Sequence, residues 1–386
     1  MNIQELRRLV SEVPRFPGAK LVRPASVCNE GFPGTFNLSY SEAEMIEQFG
    51  QYLDYKHDFI YSKIQPVIRF QDWLHIAKND EHCYRYLSVF DLADIGGGII
   101  LKDAKRLNEA VVFSLNQLFA FLVNNVGLDK SKLRISYFAG GQVSDVTKGK
   151  YNFEQILSAD ERIGHWRSLG LTDEQFIHDK SRATLLALNV FGLPTPWGYR
   201  HEVNYLHEGK LLDIATFEYL FLRPIFEGQR VVKVRLWEHA FVISAIGLER
   251  VLMAKNNLKQ ITDCAHISPL VEIILSQSVL KNEVSARILC QALRVIHRIF
   301  SDCGSYKSLS VRRKEKMRIF YKAVFSAANE LGLVISQENL KDWLDLNASL
   351  QEYSVELKTL VGRTVEEVMD AKSRFESDRS LKVKGV

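Results

Sequence analysis

Two arginines have the type and setting to handle phosphate. Arg69 closes the apolar, β-branched run Lys63–Phe70 (KIQPVIRF), and Arg250 follows Gly247-Leu248-Glu249 where a helix-forming stretch begins. A chain that activates a carboxylate with ATP must neutralise the α-phosphate at the point of attack and hold the departing pyrophosphate. The planar, permanently charged guanidinium suits both tasks. Such chemistry is mostly positioning and charge stabilisation, so it asks for little beyond the arginines, Mg²⁺ and its carboxylate ligands. Taken singly, either arginine reads better as an ordinary surface or salt-bridge residue.

Other chemistries find less support. Gly96-Gly97-Gly98 lacks the G-x-x-x-x-G-K-S/T and G-x-G-x-x-G spacings and reads as a tight turn. The ten histidines form no H-E-x-x-H and no His/Cys cluster at ligand spacing, which argues against zinc. No G-x-S-x-G elbow occurs, which disfavours an α/β-hydrolase. The five cysteines are scattered and form no C-x-x-C pair, so reduced, mostly buried thiols are expected.

The elements that must carry the arginines follow from periodicity. At 386 residues and 46% hydrophobic content the chain is long enough for two compact units. The first forty residues, rich in Pro and Gly, are expected to wrap an existing surface. Ser41, with Glu44 three residues on, opens an amphipathic helix. Lys63–Phe70 and Tyr84–Leu92 read as an antiparallel pair joined by the long polar loop 71–82. Residues 103–126 read as a helix, and strands are expected at 134–138, 185–190, 202–206, 210–220, 231–236 and 240–246. Beyond residue 255 the strand signals fade, and 265–280, 283–300, 311–331 and 337–376 have helical periodicity. The fold class expected is α+β: an antiparallel-sheet domain over 1–254 followed by an all-α domain over 255–386.

The order of the segments carries a resemblance. Arg69-Phe70-Gln71-Asp72, then Arg85 leading to Phe90, resembles motif 2 of class II aminoacyl-tRNA synthetases, and Ala245-Ile246-Gly247-Leu248-Glu249-Arg250 resembles their motif 3. Between them, Pro196 to Tyr205 resembles the alanyl-tRNA synthetase segment usually written P-C-G-P-C-S/T-E-I, and Leu211 to Tyr219 its following E-I-W-N-x-V-F strand. Ala286-Arg287-Ile288 through Gly304, then Arg312-Arg313 through Gly332, is similar to the helical domain of that branch. The resemblance covers roughly residues 45–335 and implies a core of six or seven antiparallel strands, acyl-adenylate formation with ATP and Mg²⁺, Arg69 on the α-phosphate, Arg250 on the γ-phosphate and Phe90 against adenine. Arg85 and Glu249 complete the implied ATP set.

Departures from the family bear on the substrate. The Asp that normally receives an ammonium four residues before the motif 3 glycine falls on Ile243, both cysteines of the P-C-G-P-C run are replaced by Trp197 and Arg200, and the Trp and Asn of W-N-x-V-F fall on Asp213 and Ile214. Losing a buried counter-ion costs several kcal/mol if nothing replaces it, so alanine is not expected as substrate. Asn189, Trp197, Glu202, Asp213 and Ile243 form the expected acyl pocket. Asp213, Glu202 or Glu218 is a candidate relocated counter-ion, Glu218 being equally a candidate Mg²⁺ ligand. No editing domain is expected.

Charge is unevenly placed: residues 281–330 carry eleven Lys/Arg against four Asp/Glu, while the whole chain is only +4. Arg287, Arg294 and Arg298 recur at helical spacing, followed by Arg312, Arg313, Lys314 and Arg318. By itself such a run is a solvated helix face. After an adenylating core it reads as a phosphate-backbone surface, with a tRNA acceptor stem as ligand and an acidic carrier protein as the alternative. The expected protein is therefore a ligase that acylates tRNA. A tRNA-independent ligase making an amide or thioester with a small amine or carrier protein, and a non-catalytic tRNA-binding paralogue, stand beside it. No secretory signal or membrane span is read, which leads to a cytoplasmic expectation.

Overall fold

The structure, a computed structural model, describes residues 1–29, 34–37, 39–40, 58–190 and 193–383, with side chains described except at 188–190, 193–195 and 377–383. The helix expected from Ser41 lies outside the described residues. Eleven strands among these residues form one mixed, mainly antiparallel sheet. Its centre is three long strands, Leu193–His207, Lys210–Glu227 and Arg230–Gly247, each paired antiparallel to the next. Polar and apolar residues alternate along Lys210–Glu227: Leu212, Phe217 and Tyr219 are buried below, while Asp213, Thr216 and Glu218 are less buried and face the other way.

Arg230–Gly247 organises the site. Its middle pairs with Gly98–Leu101 and its last residues with Val89–Asp94, which pairs in turn with Ile64–Ile68. Arg69 leaves the end of Ile64–Ile68 and Arg250 lies on the helix Leu248–Asn256 that continues Arg230–Gly247, so both arginines reach the same end of the sheet. Between Gly98 and the preceding strand, Gly96 and Gly97 adopt φ of +105° and +108°, a conformation that favours glycine, as a tight turn requires. Asp94 accepts from Ser244 N at 2.7 Å beneath that turn, and burial pushes its carboxyl up to about 8.

Two expectations change. Residues 231–236 and 240–246 belong to one continuous strand, because Trp237 and His239 are buried within it. The polar loop expected over 71–82 instead contains the helix Phe70–Lys78. Trp73 and Ile76 make its buried side, and Asn79, with φ of +47°, ends it. In addition, the N-terminal segment begins with a helix, Ile3–Glu12, closed by a reciprocal Asn2–Glu5 capping box.

The helical region centres on Glu283–Cys303, buried on nearly all sides, with Val311–Glu330 alongside it. It packs directly on the site elements. Phe320 meets Trp73 edge-on at 5.0 Å between ring centres, and Gln291 accepts from Ser88 N at 3.0 Å beside the Phe90 strand. No helix among the described residues is long and apolar enough to cross a membrane.

Candidate active site

A cavity of about 230 Å³ opens where the four site elements meet. Arg69, Arg200 and Arg250 reach it, as do Glu202, Asp213 and Glu218, so three cations and three carboxylates share one recess. Phe90, Leu92, Ile243 and Ala245 supply an apolar wall, and Ser39 and Tyr40 of the N-terminal segment form part of the rim.

Each charge is held by local geometry. Arg69 is the residue before the first turn of Phe70–Lys78; its backbone N–H donates to Ser88 O at 3.0 Å and its guanidinium lies 5.1 Å from the Phe90 ring centre. Arg200 and Glu202 are two apart on one strand and therefore share a face, and Glu218 is directly opposite Arg200 on the next strand. Arg200 consequently donates to Glu202 at 2.9 Å and to Glu218 at 2.8 Å. A register shift at Gly198 lets the strands approach so closely that a Cβ there would stand 2.0 Å from Tyr219 O, so a glycine is needed two residues before Arg200. Arg250 donates to the Asp213 carboxylate at 2.7 Å, to Asp213 O at 3.1 Å and to Arg85 O at 3.3 Å.

The electrostatics follow from crowding charges in a recess. Burial pulls the Arg69 guanidinium below its usual range, Asp72 restraining the fall and Arg250 adding to it. Burial acts against Arg200 too, but Glu218 and Glu202 hold it above its ordinary value. Burial, and then the Asp213 carboxylate, push Glu202 up to about 7 against the pull of Arg200. Asp72 is raised by burial despite Arg69 and Arg250 nearby. The recess is thus internally compensated, with Glu202 the carboxylate least at ease in its charged form.

Of the residues singled out in the sequence, Arg69, Phe90, Glu202, Asp213, Glu218, Ile243 and Arg250 are brought together around this cavity. Arg85 is outside the lining: its guanidinium donates to Leu211 O at 3.0 Å and lies 5.2 Å from the Tyr86 ring centre. Glu249 points away from the cavity. Its carboxylate accepts the Asp91 N–H at 3.1 Å, which pins the Arg250 helix to the back of the Phe90 strand. Trp197 is core, 4.6 Å from Tyr151 between ring centres, because its position on the strand faces below the sheet. The Asn189 side chain lies outside the described residues. Sequence reasoning did not place Arg200 in the site, although its two-residue spacing from Glu202 on a strand was the available signal.

The basic helices are largely redirected. Arg294 and Arg298 are buried within Glu283–Cys303, Arg298 ion-pairing with Asp302 at 3.3 Å. Arg313 is also buried and donates to Thr35 O at 2.6 Å, to Cys28 O at 2.9 Å and to Asn29 O, clamping the N-terminal segment. Arg287 is half-buried and pairs with Glu283 at 3.1 Å, and Lys314 reaches Lys307 O at 3.2 Å. Arg312 and Arg318 are exposed.

No family model matches the chain, and no curated protein is significantly similar to it. Among solved structures it is similar to a histidyl-tRNA synthetase from S. aureus, with 11% identity and a TM-score of 0.35 over 68% of this chain and 67% of that one. It is also similar to an aspartyl-tRNA synthetase from Entamoeba histolytica, with 12% identity and a TM-score of 0.30 over 67% of this chain and 54% of that one. The chain therefore spans between about half and two thirds of these neighbours, both of them aminoacyl-tRNA synthetases. At such scores the likeness carries nothing about chemistry. The α+β class stands on the sheet and helices described above.

Proposed function

We propose that the protein is an ATP-dependent, adenylate-forming ligase of the class II aminoacyl-tRNA synthetase type, whose segment order follows the alanyl branch. It activates an amino or carboxylic acid other than alanine and transfers the acyl group to tRNA. The observation that carries this reading is the convergence of Arg69 and Arg250, far apart in sequence, on one recess floored by three carboxylates and walled by Phe90.

In this reading the carboxylate oxygen of the acid attacks the α-phosphorus, the α–β phosphoanhydride bond breaks, and pyrophosphate leaves. Arg69 stabilises the charge gathering on the α-phosphate, and Arg250 holds the outer phosphate of the leaving group. Phe90 offers its face to adenine. Ile243 makes the usual ammonium position apolar, so Glu202, Asp213 or Glu218 takes over as counter-ion.

Among the described residues no group of three or more His, Cys, Asp or Glu could hold a metal by itself. The donor set fits a Mg²⁺ ion that arrives on the nucleotide, since such ions bind through substrate phosphates and one or two carboxylates. Glu218 is the carboxylate available, while also bonded to Arg200. When bound, the ion would neutralise part of the polyphosphate charge.

A second reading, transfer to a small amine or an acidic carrier protein, gains weight from the helical region. Three of its seven highlighted cations are buried, which leaves a thinner basic surface for RNA. The two-unit division, residues 1–254 for adenylation and 255–386 for the acceptor, belongs to the same proposal, as do Arg312, Lys314 and Arg318 as acceptor contacts. ATP–pyrophosphate exchange with a panel of amino and carboxylic acids, with and without total tRNA, tests all of this. Exchange followed by RNA acylation supports the first reading, exchange alone the second, and no exchange with any acid a non-catalytic RNA-binding paralogue.

A further inference from the structure

We infer that Asp213 is a built-in occupant of the nucleotide's outer-phosphate seat: its carboxylate holds Arg250 at the cavity, and an incoming polyphosphate that takes both terminal guanidinium nitrogens must displace it. The inference rests on the adenylation reading and adds to it a competition inside the chain.

Two of the three guanidinium nitrogens of Arg250 already donate within the chain. Nη1 is shared between the Asp213 carboxylate at 2.7 Å and Asp213 O at 3.1 Å, and Nε donates to Arg85 O at 3.3 Å. Nη2 is 3.9 Å from the Asp72 carboxylate. A phosphate can engage Nη1 and Nη2 together as a fork only by displacing the Asp213 carboxylate from Nη1. The two acids differ in how easily they yield. The side chain of Asp213 is 38% exposed, whereas those of Asp72 and Arg250 are 12% and 11% exposed. Asp213 can therefore swing into water at little desolvation cost, while Asp72 stays behind the arginine and keeps it aimed. Asp213 also sits near the start of the central strand Lys210–Glu227, next to the acyl end of the cavity, where its charge acts on both Arg200 and Glu202. Displacement thus changes the acid-binding end of the recess as the nucleotide arrives, and it couples the two ligands through one side chain.

Removing only the negative charge should relieve the competition. Asp213→Asn keeps a carbonyl oxygen that can still accept from Arg250, and Asp213→Ser provides a smaller second variant in case the amide repacks. Isothermal titration of the full chain with magnesium tripolyphosphate, and separately with magnesium α,β-methylene-ATP, measures the seat without and with adenosine. Both variants should bind both probes about five- to tenfold more tightly than wild type, as expected for loss of a partly buried ion-pair competitor. Adding Arg250→Ala should erase that gain, because the two residues act on one seat. If wild type binds the probes and the variants bind equally or less tightly, Asp213 merely orients Arg250 and the inference is overturned. If neither wild type nor any variant binds either probe, the adenylation reading itself falls and takes the inference with it.

Discussion

The cavity and the helical region use arginine in opposite ways. In the cavity, Arg69, Arg200 and Arg250 are held by carboxylates or an aromatic face at the edge of an open recess, where an incoming anion can compete for them. In the helices, Arg298 and Arg313 are enclosed, and Arg313 spends its donors on backbone carbonyls that no ligand could replace. The same side chain is, on the proposed reading, a ligand-binding group in one place and a strut in the other. What separates the two roles is whether the partner is exchangeable.

That contrast can be broken most sharply at the cavity. Arg250→Ala or Arg69→Ala should lower ATP–pyrophosphate exchange per folded molecule by about 10²- to 10³-fold, the range seen when one transition-state charge ligand is lost. A large fall in stability with exchange preserved would reverse the assignment.

The complementary strike is Arg313→Met. It strips three backbone carbonyls of their buried donor and should cost roughly 3–4 kcal/mol of unfolding free energy in urea denaturation, with specific activity per folded molecule retained. A neutral outcome would mean that the clamp is dispensable.

A third probe uses pH. His297 is buried, donates from Nε2 to Leu357 O at 2.8 Å and accepts at Nδ1 from Asn347 Nδ2 at 3.0 Å, and burial pulls it down to about 4. A base whose folded pKa lies below its unfolded one lends stability that is complete above the unfolded value near 6.5 and is lost as pH falls toward 4. The helical region should therefore lose up to about 3 kcal/mol over that window, and His297→Gln should flatten the slope of stability against pH. In the cavity the sign is opposite. Glu202, raised to about 7, favours the folded state below the unfolded carboxylate range, and that contribution drains away as pH rises through 7. Glu202→Gln should remove this loss between pH 5 and pH 8 in thermal melts.

The smallest effect is expected at the exposed cations. Arg312→Ala with Arg318→Ala should leave stability within about 0.5 kcal/mol, weaken acceptor-RNA binding several-fold at low salt and reduce the salt slope by about two phosphate contacts. Unchanged RNA binding would favour a small amine or carrier protein as acceptor.

Much of the frame was legible from the sequence because it rests on patterns that survive folding. The strand ends that carry Arg69 and Arg250, the tight turn at Gly96-Gly97 and the long helices all follow from periodicity and glycine. Facing was less legible. Glu249 and Arg250 are neighbours, yet only the rotation of a helix against Val89–Asp94 decides that one is buried under the strand and the other opens to the cavity. Trp197 and Arg200, three apart on one strand, fall on opposite faces by alternation alone, but which face covers the core is decided by the packing of the sheet. The helix Phe70–Lys78 escaped because Gln71, Asp72 and His75 mask the buried pair Trp73 and Ile76. The buried arginines of Glu283–Cys303 escaped because charge and spacing report a face without reporting what covers it.

The strap gripped by Arg313 has a further consequence for how the molecule comes apart. Val27 donates to Asp302 at 2.7 Å and accepts from Asn37 N at 2.8 Å, and Asn37 O accepts from Ile68 N at 2.8 Å, one residue before Arg69. Val27 and Asn37 thereby tie the last turn of one long helix to the strand that delivers Arg69. Amide protons on Ile68, on Asn37 and along the adjoining helix should accordingly exchange in one cooperative opening, with sheet and helices melting as a single thermal transition.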